Sequence, residues 1–203
     1  MQNANKDNLM PPLWKLILIC MTASFCALLP ADVIPQMAAY FKVLPGQAEG
    51  VLSWFLLGYG LGPLLYGPIA SRYGRRKTLV FGFSLALLAN IGSIIGISCH
   101  SLISLEILRL VEGVGTSVGV VVGMMMIADT SSGTASRRIF SFIVLFLAFA
   151  PSIAMAVGGA LAQFLGFQSI FIGMCAMMVV WILLALSLTE TYHGPSVSIR
   201  IHE

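Results

Sequence analysis

Asp32, Arg109 and Glu112 are ionisable residues that lie well inside long apolar stretches of this chain. Arg109 and Glu112 are three residues apart, so on a helix they share a face. An arginine inside a membrane costs roughly 2.5 to 3.5 kcal/mol, so it normally faces a partner or a watery cavity. Burial disfavours a charged carboxylate and a nearby arginine favours it, so Asp32 or Glu112 could bind either a proton or a cation. The alternative is that the three residues form a neutralising structural network.

The composition predicts a membrane protein. Of 203 residues, 58% are hydrophobic and 9% charged, with a mean hydropathy of +0.95, whereas about a quarter of a soluble domain is charged. The net charge of +3 is concentrated at the ends of apolar runs, which argues against a nucleic-acid partner.

The sequence contains no pattern typical of an enzyme or a metal site. The histidines lie in a turn or in the C-terminal tail, and there is no phosphate-binding loop. We therefore expect neither catalysis nor a metal or other cofactor. The four cysteines lack metal-ligand spacing and are interpreted as small packing residues. They are Cys20, Cys26, Cys99 and Cys175.

Six apolar runs predict an all-α bundle of six membrane-spanning helices over 13–188, with tails over 1–12 and 189–203. Pro30 and Pro35 interrupt the first helix, which membrane helices tolerate. At 1.5 Å per residue, Asp32, Arg109 and Glu112 lie about 12, 10 and 15 Å below the outer surface. The predicted helices run over 13–40, 51–70, 78–98, 102–128, 139–164 and 167–188.

Basic residues predict the orientation. Short loops on the cytoplasmic side carry the excess of Lys and Arg, and in this chain only Lys42 would lie in an outer loop. Both termini are therefore expected to be cytoplasmic, and Asp129 is predicted to pair with Arg137 or Arg138. The basic residues on the inner side before the tail are Lys6, Lys15, Arg72, Arg75, Arg76, Lys77, Arg137 and Arg138.

The segment 67–77 is predicted to be a short cytoplasmic hinge loop. Gly67 and Pro68 would end the second helix, Gly74 would allow a tight turn, and Ser71 could cap a helix start. The loop residues with an expected conformational role are Gly67, Ser71, Arg72, Gly74, Arg75 and Arg76.

Small residues at four-residue spacing predict where helices approach closely. The second helix has two such glycines, Gly58 and Gly62. The fourth helix has a row of three, Gly115, Gly119 and Gly123; we call these rows glycine ridges. In the fifth helix Pro151, Gly158 and Gly159 predict a bendable, closely packed segment.

These motifs resemble the major facilitator superfamily of transporters. The hinge resembles the family loop G-x-x-x-D-R-x-G-R-R/K, with Ser71 in place of the usual Asp. The segment from Arg109 to Gly115 resembles R-x-x-Q-G-x-G of drug–proton antiporters, with Glu112 in place of Gln. Residues 31–35 resemble the first helix of the Bcr/CflA-type branch, and the fifth helix partly resembles G-P-x-x-G-G. Thr189-Glu190-Thr191 resembles the P-E-T that closes the family's first half.

The resemblance implies the N-terminal half of a twelve-helix fold, built from two inverted three-helix repeats. It implies secondary, proton-coupled efflux of small lipophilic or cationic compounds, driven by the proton gradient. The location would be the cell membrane, here a bacterial inner membrane. A second six-helix half or another copy could pair through the glycine ridges. A non-transporting remnant and a homo-oligomeric, channel-like subunit remain alternatives.

Overall fold

The computed structural model describes residues 12–131 and 133–191, without the side chains of residues 133–135. The tails predicted over 1–12 and 189–203 therefore lie outside the described residues, except for residues 12 and 189–191.

Every regular element in this part of the chain is helical, and six spans are long and apolar enough to cross a membrane. The prediction of an all-α, six-helix membrane fold is confirmed. Each span is joined to the next by a short connection, so spans one to three and four to six form two triplets of opposite direction. In chain order the spans are Leu13–Phe41, Pro45–Tyr73, Arg75–Ser98, Leu102–Thr130, Ser136–Leu165 and Gln168–Leu186.

The first span is broken at the position of its prolines. A helix over Leu13–Leu28 is followed by a single 3₁₀ turn, Ala31–Val33, and by a second helix, Ile34–Phe41. Pro30 directly precedes the turn, and Pro35 occupies the first turn of the second helix, where a missing N–H costs nothing. Asp32 consequently lies in the break itself, outside a regular α-helix.

The connection between the second and third spans is tighter than the predicted hinge. The second helix continues through Pro68 to Tyr73, and the third begins at Arg75. The prediction that Gly67 and Pro68 end the second helix is wrong, because a membrane helix tolerates an internal proline. The turn is Gly74 alone, whose φ of 93° favours glycine. The Ser71 hydroxyl donates to the Gly67 carbonyl within the helix at 3.1 Å, so it caps no helix start.

The fourth span is the centre of the bundle, and the glycines make its close contacts possible. A Cβ at Gly58 would overlap the carbonyl oxygen of Leu110, and one at Gly119 would overlap that of Ile19. The glycine ridges therefore join helices of the same chain. A Cβ at Gly62 would likewise overlap Ser117, and one at Gly115 would overlap Gly82 and Ala86. A Cβ at Gly123 would overlap Cys20, and one at Gly158 of the fifth span would overlap Leu29.

At the end of the bundle opposite Gly74, aromatic residues pack together at three connections: those between spans one and two, three and four, and five and six. The Tyr40 ring stacks on His100 with 4.5 Å between centroids and meets Phe167 edge-on at 5.1 Å. The Tyr40 hydroxyl donates to the Ile97 carbonyl at 3.2 Å. Cys99, next to His100 in the turn between the third and fourth spans, is exposed, so its interpretation as a packing residue is wrong.

The outward faces of the bundle are strongly apolar. Leu64 is 74% exposed, Phe164 79% and Leu183 60%, and these three residues belong to the second, fifth and sixth spans. An apolar surface of this extent is compatible with lipid rather than with water. The chain is therefore a multi-pass membrane protein.

Candidate functional site

Arg109 lies at the middle of the bundle and is fully buried, with three hydrogen-bond partners. Its Nη1 donates to Oε2 of Glu112 at 2.7 Å, and both side chains have no exposed surface. Its Nη2 donates to the Cys26 carbonyl at 2.8 Å, and its Nε to the Val51 carbonyl at 3.4 Å. The arginine thus ties the first and second spans to the fourth.

Local structure explains why the Cys26 carbonyl is available to Arg109. Cys26 lies in the last turn of the helix Leu13–Leu28, before the break near Pro30. Carbonyls in that turn have no partner within their own helix. Val51 is one residue into the helix Gly50–Tyr73. The break in the first span therefore supplies an acceptor at membrane depth, which a guanidinium can use.

Asn90 of the third span is a member of this site that sequence reasoning missed. Its Nδ2 donates to Oε1 of Glu112 at 3.0 Å and to the Ala86 carbonyl at 3.2 Å. Both oxygens of the Glu112 carboxylate are thus engaged, one by Arg109 and one by Asn90. The Asn90 Oδ1 is buried and has no hydrogen-bond partner among the described residues. An asparagine inside a predicted membrane helix was the available signal.

The Phe55 ring separates the network from a groove between the first and second spans. The Arg109 guanidinium carbon lies 4.5 Å from the centroid of this ring, a geometry typical of a cation–π contact. The groove has a volume of about 220 Å³. Its walls include Ala23, Ser24, Ala27, Phe55 and Tyr59, and so present an apolar, aromatic surface with two hydroxyl groups.

Asp32 is not joined to this network. The residue is exposed, and it makes no hydrogen bond or ion pair to any other described residue. Its Oδ2 lies 3.6 Å from the position that a Cβ on Gly159 would occupy, so it faces the fifth span. The three predicted coupling residues therefore form two sites, a buried Arg109–Glu112 pair and an exposed carboxylate in the break of the first span.

The basic end of the bundle, which we define by Arg72, Arg75, Arg76 and Lys77, is held by two acidic residues. Arg75 Nε donates to Oδ2 of Asp129 at 2.9 Å, so the predicted pairing of Asp129 with Arg137 or Arg138 is wrong. Both of those arginines are exposed in the fifth helix. Asp129 instead ties the end of the fourth span to the start of the third.

Glu190 binds the first turn of the third span. Its carboxylate accepts hydrogen bonds from the backbone N–H groups of Arg75 at 2.9 Å and Arg76 at 3.2 Å. A carboxylate at a helix N-terminus satisfies unpaired N–H groups and interacts favourably with the helix dipole. The segment after the sixth span thus closes back on the Gly74 turn.

These features define a class of protein. Six apolar spans around a fully buried, hydrogen-bonded ion pair are the architecture of a polytopic membrane protein whose intramembrane charges are candidates for function. Residues 14–201 match the Major Facilitator Superfamily. The chain belongs to this family.

Relatives of known sequence include drug-resistance proteins. The chain is 30% identical over 146 residues to Multidrug resistance protein D of Escherichia coli, covering 72% of this chain and 36% of that protein. It is 26% identical over 161 residues to an uncharacterised transporter of Rickettsia felis, covering 79% and 39%. It is 26% identical over 136 residues to a Bicyclomycin resistance protein homolog of Haemophilus influenzae, covering 67% and 33%.

Solved structures show the same fold. The D-xylose–proton symporter superimposes with a TM-score of 0.73 at 16% identity, over 88% of this chain and 48% of that one. At this identity the likeness concerns the fold alone. The chain spans less than half the length of each relative and solved structure named here.

Proposed function

We propose that this chain is the N-terminal six-helix half of a secondary active transporter that exchanges protons for small lipophilic or cationic compounds. Family membership and the similarity to Multidrug resistance protein D and the bicyclomycin resistance homolog support a drug-efflux substrate class. The basic end would face the cytoplasm, as the positive-inside rule requires. The proton gradient across a bacterial inner membrane would supply the free energy.

The observation that carries the proposal is the way in which the buried Arg109–Glu112 pair is held. Arg109 keeps two backbone acceptors, the carbonyls of Cys26 and Val51, independently of Glu112. If Glu112 took up a proton, the guanidinium would lose its carboxylate but would not be left without partners. A buried charge with no partner costs several kcal/mol, so this arrangement lowers the cost of protonating Glu112.

Asn90 can serve both protonation states of Glu112. In the charged state its amide nitrogen donates to Oε1. A protonated carboxyl group is itself a donor, and the unpartnered Asn90 Oδ1 would accept from it after a rotation of the amide. A proton added to Glu112 would therefore find an acceptor in the buried Asn90 Oδ1.

The groove beside Phe55 and the exposed Asp32 fit the proposed substrate class. The aromatic and small apolar walls of the groove suit a lipophilic body, and a carboxylate at membrane depth attracts a cation. Because Phe55 touches both the groove and Arg109, a bound compound that moves this ring would alter the environment of the Arg109–Glu112 pair. Proton and compound would then influence each other's binding reciprocally.

A second six-helix unit would complete the transporter. The relatives are more than twice the length of the matched segment, and substrate sites in such folds lie at the interface between repeats. The partner would be either a separate C-terminal half or another copy of this chain.

The experiment is transport of ethidium, a lipophilic cation, by the chain reconstituted in vesicles with a proton gradient. We expect ethidium movement that collapses when the gradient is dissipated, that is lost in Glu112→Gln, and that is at least tenfold slower in Asp32→Asn. Glu106→Gln is the matched control, because Glu106 lies on the same helix but outside the network, and it should transport normally. The oligomeric mass of the same sample distinguishes a monomer from a paired form.

Two results would overturn the proposal. Gradient-driven ethidium transport that persists unchanged in both Glu112→Gln and Asp32→Asn would remove these carboxylates from the mechanism. A well-folded, vesicle-inserted chain that moves no cation in any oligomeric form, including when it is reconstituted together with the C-terminal half of Multidrug resistance protein D, would instead mean a non-transporting remnant.

A further inference from the structure

Two grooves on the membrane-facing surface meet at Lys77. The first, of about 340 Å³, lies between the second and third spans and is lined by Ile69, Tyr73, Lys77, Thr78 and Phe81. The second, of about 470 Å³, lies between the third and sixth spans. It shares Lys77 and Phe81 with the first and adds Arg76, Val80, Leu186 and Glu190. Phe81 is the common wall between them.

The polarity of both grooves changes along the axis of the third span. Lys77 is in the first turn of the helix Arg75–Ser98, and Phe81 lies one turn further in, about 6 Å deeper at 1.5 Å per residue. The Phe81 side chain is 57% exposed and the Tyr73 side chain, at the rim, is 58% exposed. Each groove is therefore charged at the end of the bundle and apolar towards its middle.

The charges at the mouth favour an anion. The exposed Lys77 makes no hydrogen bond or ion pair to another described residue. Arg72 is also exposed, with its guanidinium 5.5 Å from the Tyr73 ring, and Arg76 donates to the Leu186 carbonyl. The carboxylate of Glu190 also lines the second groove, but both its oxygens accept from backbone N–H groups. The grooves are thus lined by two cations, Arg76 and Lys77, and one engaged carboxylate, with a third cation, Arg72, beside Tyr73 at the rim.

We propose that these grooves form a binding site for an anionic phospholipid, with the headgroup phosphate at Lys77 and the acyl chains on either side of Phe81. A basic headgroup site with apolar channels leading towards the membrane centre matches the shape and charge of such a lipid. A free phosphate would use Lys77 but not the grooves. This inference does not depend on the proposed transport activity.

The test compares lipids retained by the chain during purification from mixed phosphatidylglycerol and phosphatidylcholine vesicles, measured by mass spectrometry of the extracted lipid. We expect enrichment of phosphatidylglycerol in the unaltered chain. One basic residue near an anionic membrane surface is worth about 1 kcal/mol, so Lys77→Gln should lower the enrichment about fivefold. Lys77→Arg should retain it.

Matched variants separate the site from general attraction to a charged membrane. Arg137→Gln with Arg138→Gln removes two exposed cations elsewhere and should leave the enrichment unchanged. Ile69→Trp with Val80→Trp fills both grooves at constant charge and should lower it, whereas Leu88→Trp, on the exposed face of the same helix, should not. Inorganic phosphate at millimolar concentration should not displace the lipid.

Three outcomes would overturn the inference. Equal losses in the Lys77 and Arg137/Arg138 variants would mean non-specific attraction. Full enrichment after both grooves are filled would mean that acyl chains do not enter them. Displacement of the lipid by inorganic phosphate would mean that the site binds an anion and not a whole phospholipid. Each variant is compared by circular dichroism and thermal unfolding, and Lys77→Arg keeps the test valid if Lys77→Gln does not fold.

Discussion

The side-chain amide of Asn90 donates a 3.0 Å hydrogen bond to Glu112, while its own carbonyl oxygen is buried with no partner in the described part of the chain. The third span thereby contributes to a charge pair that belongs entirely to the fourth. Buried carboxylates need donors for both oxygens, because an unsatisfied one costs free energy. Asn90 is therefore expected to stabilise the Arg109–Glu112 pair, although nothing in the sequence connects it with these residues.

Asn90→Leu should destabilise the protein more than removal of an ordinary buried polar group. A hydrogen bond to a charged group contributes about 1.5 to 3 kcal/mol, and the variant removes the Asn90 donor from Oε1 of Glu112. Ser93→Ala is the matched control, since the Ser93 hydroxyl is buried on the same helix and donates only to the Ala89 carbonyl. Denaturant unfolding in detergent, followed by circular dichroism, compares the two. A loss in Asn90→Leu no larger than in Ser93→Ala would remove Asn90 from the network.

Removing one member of the Arg109–Glu112 pair should cost more than removing both. Arg109→Leu leaves an uncompensated carboxylate in the core, and breaking a buried pair in this way costs about 3 to 5 kcal/mol. The double variant Arg109→Leu with Glu112→Leu has no buried charge, and should recover much of that loss while transporting nothing. The same unfolding measurement on both single variants and the double one gives the coupling free energy. If the three losses were simply additive, the pair would not be held as the structure shows.

The sequence predicted the fold well because its strongest signals are local. Apolar runs long enough to span a membrane, separated by short basic or polar turns, define six helices almost independently of their packing. The bounds were less accurate at the Gly74 turn, where Pro68 suggested an end to the second helix. Proline is a reliable stop in water, but in a membrane the helix continued for five more residues, to Tyr73.

The candidate site was only partly predictable, because its geometry depends on contacts between distant residues. The i, i+3 spacing placed Arg109 beside Glu112, as found. No spacing rule could have placed Asn90 next to Glu112 or Asp129 next to Arg75, since helix rotation and tilt decide these contacts. Depth along the membrane suggested that Asp32 would join the pair. Depth does not specify which way a side chain faces, and Asp32 lies on the surface.

Glycine substitutions should separate close helix contacts from open positions. Gly58→Ala would place a Cβ against the Leu110 carbonyl, and overpacking of this kind costs about 1 to 3 kcal/mol. Gly60→Ala, two residues away on the same helix, has nothing within 4 Å of its Cβ and should gain up to about 1 kcal/mol from helix propensity. Thermal unfolding of the two variants therefore should shift in opposite directions. Equal shifts would mean that the second and fourth spans do not pack through Gly58.

Cys99 offers a direct test of orientation. It is exposed in the turn between the third and fourth spans, whereas Cys20 and Cys26 are buried. If the basic end faces the cytoplasm, a membrane-impermeant maleimide added to intact cells should label Cys99, and Cys99→Ser should abolish that labelling. A cysteine introduced as Arg137→Cys in the Cys99→Ser background lies at the basic end and should react only after the cells are broken. Labelling of the Arg137→Cys, Cys99→Ser variant in intact cells would invert the topology and place the Lys77 grooves in the outer leaflet.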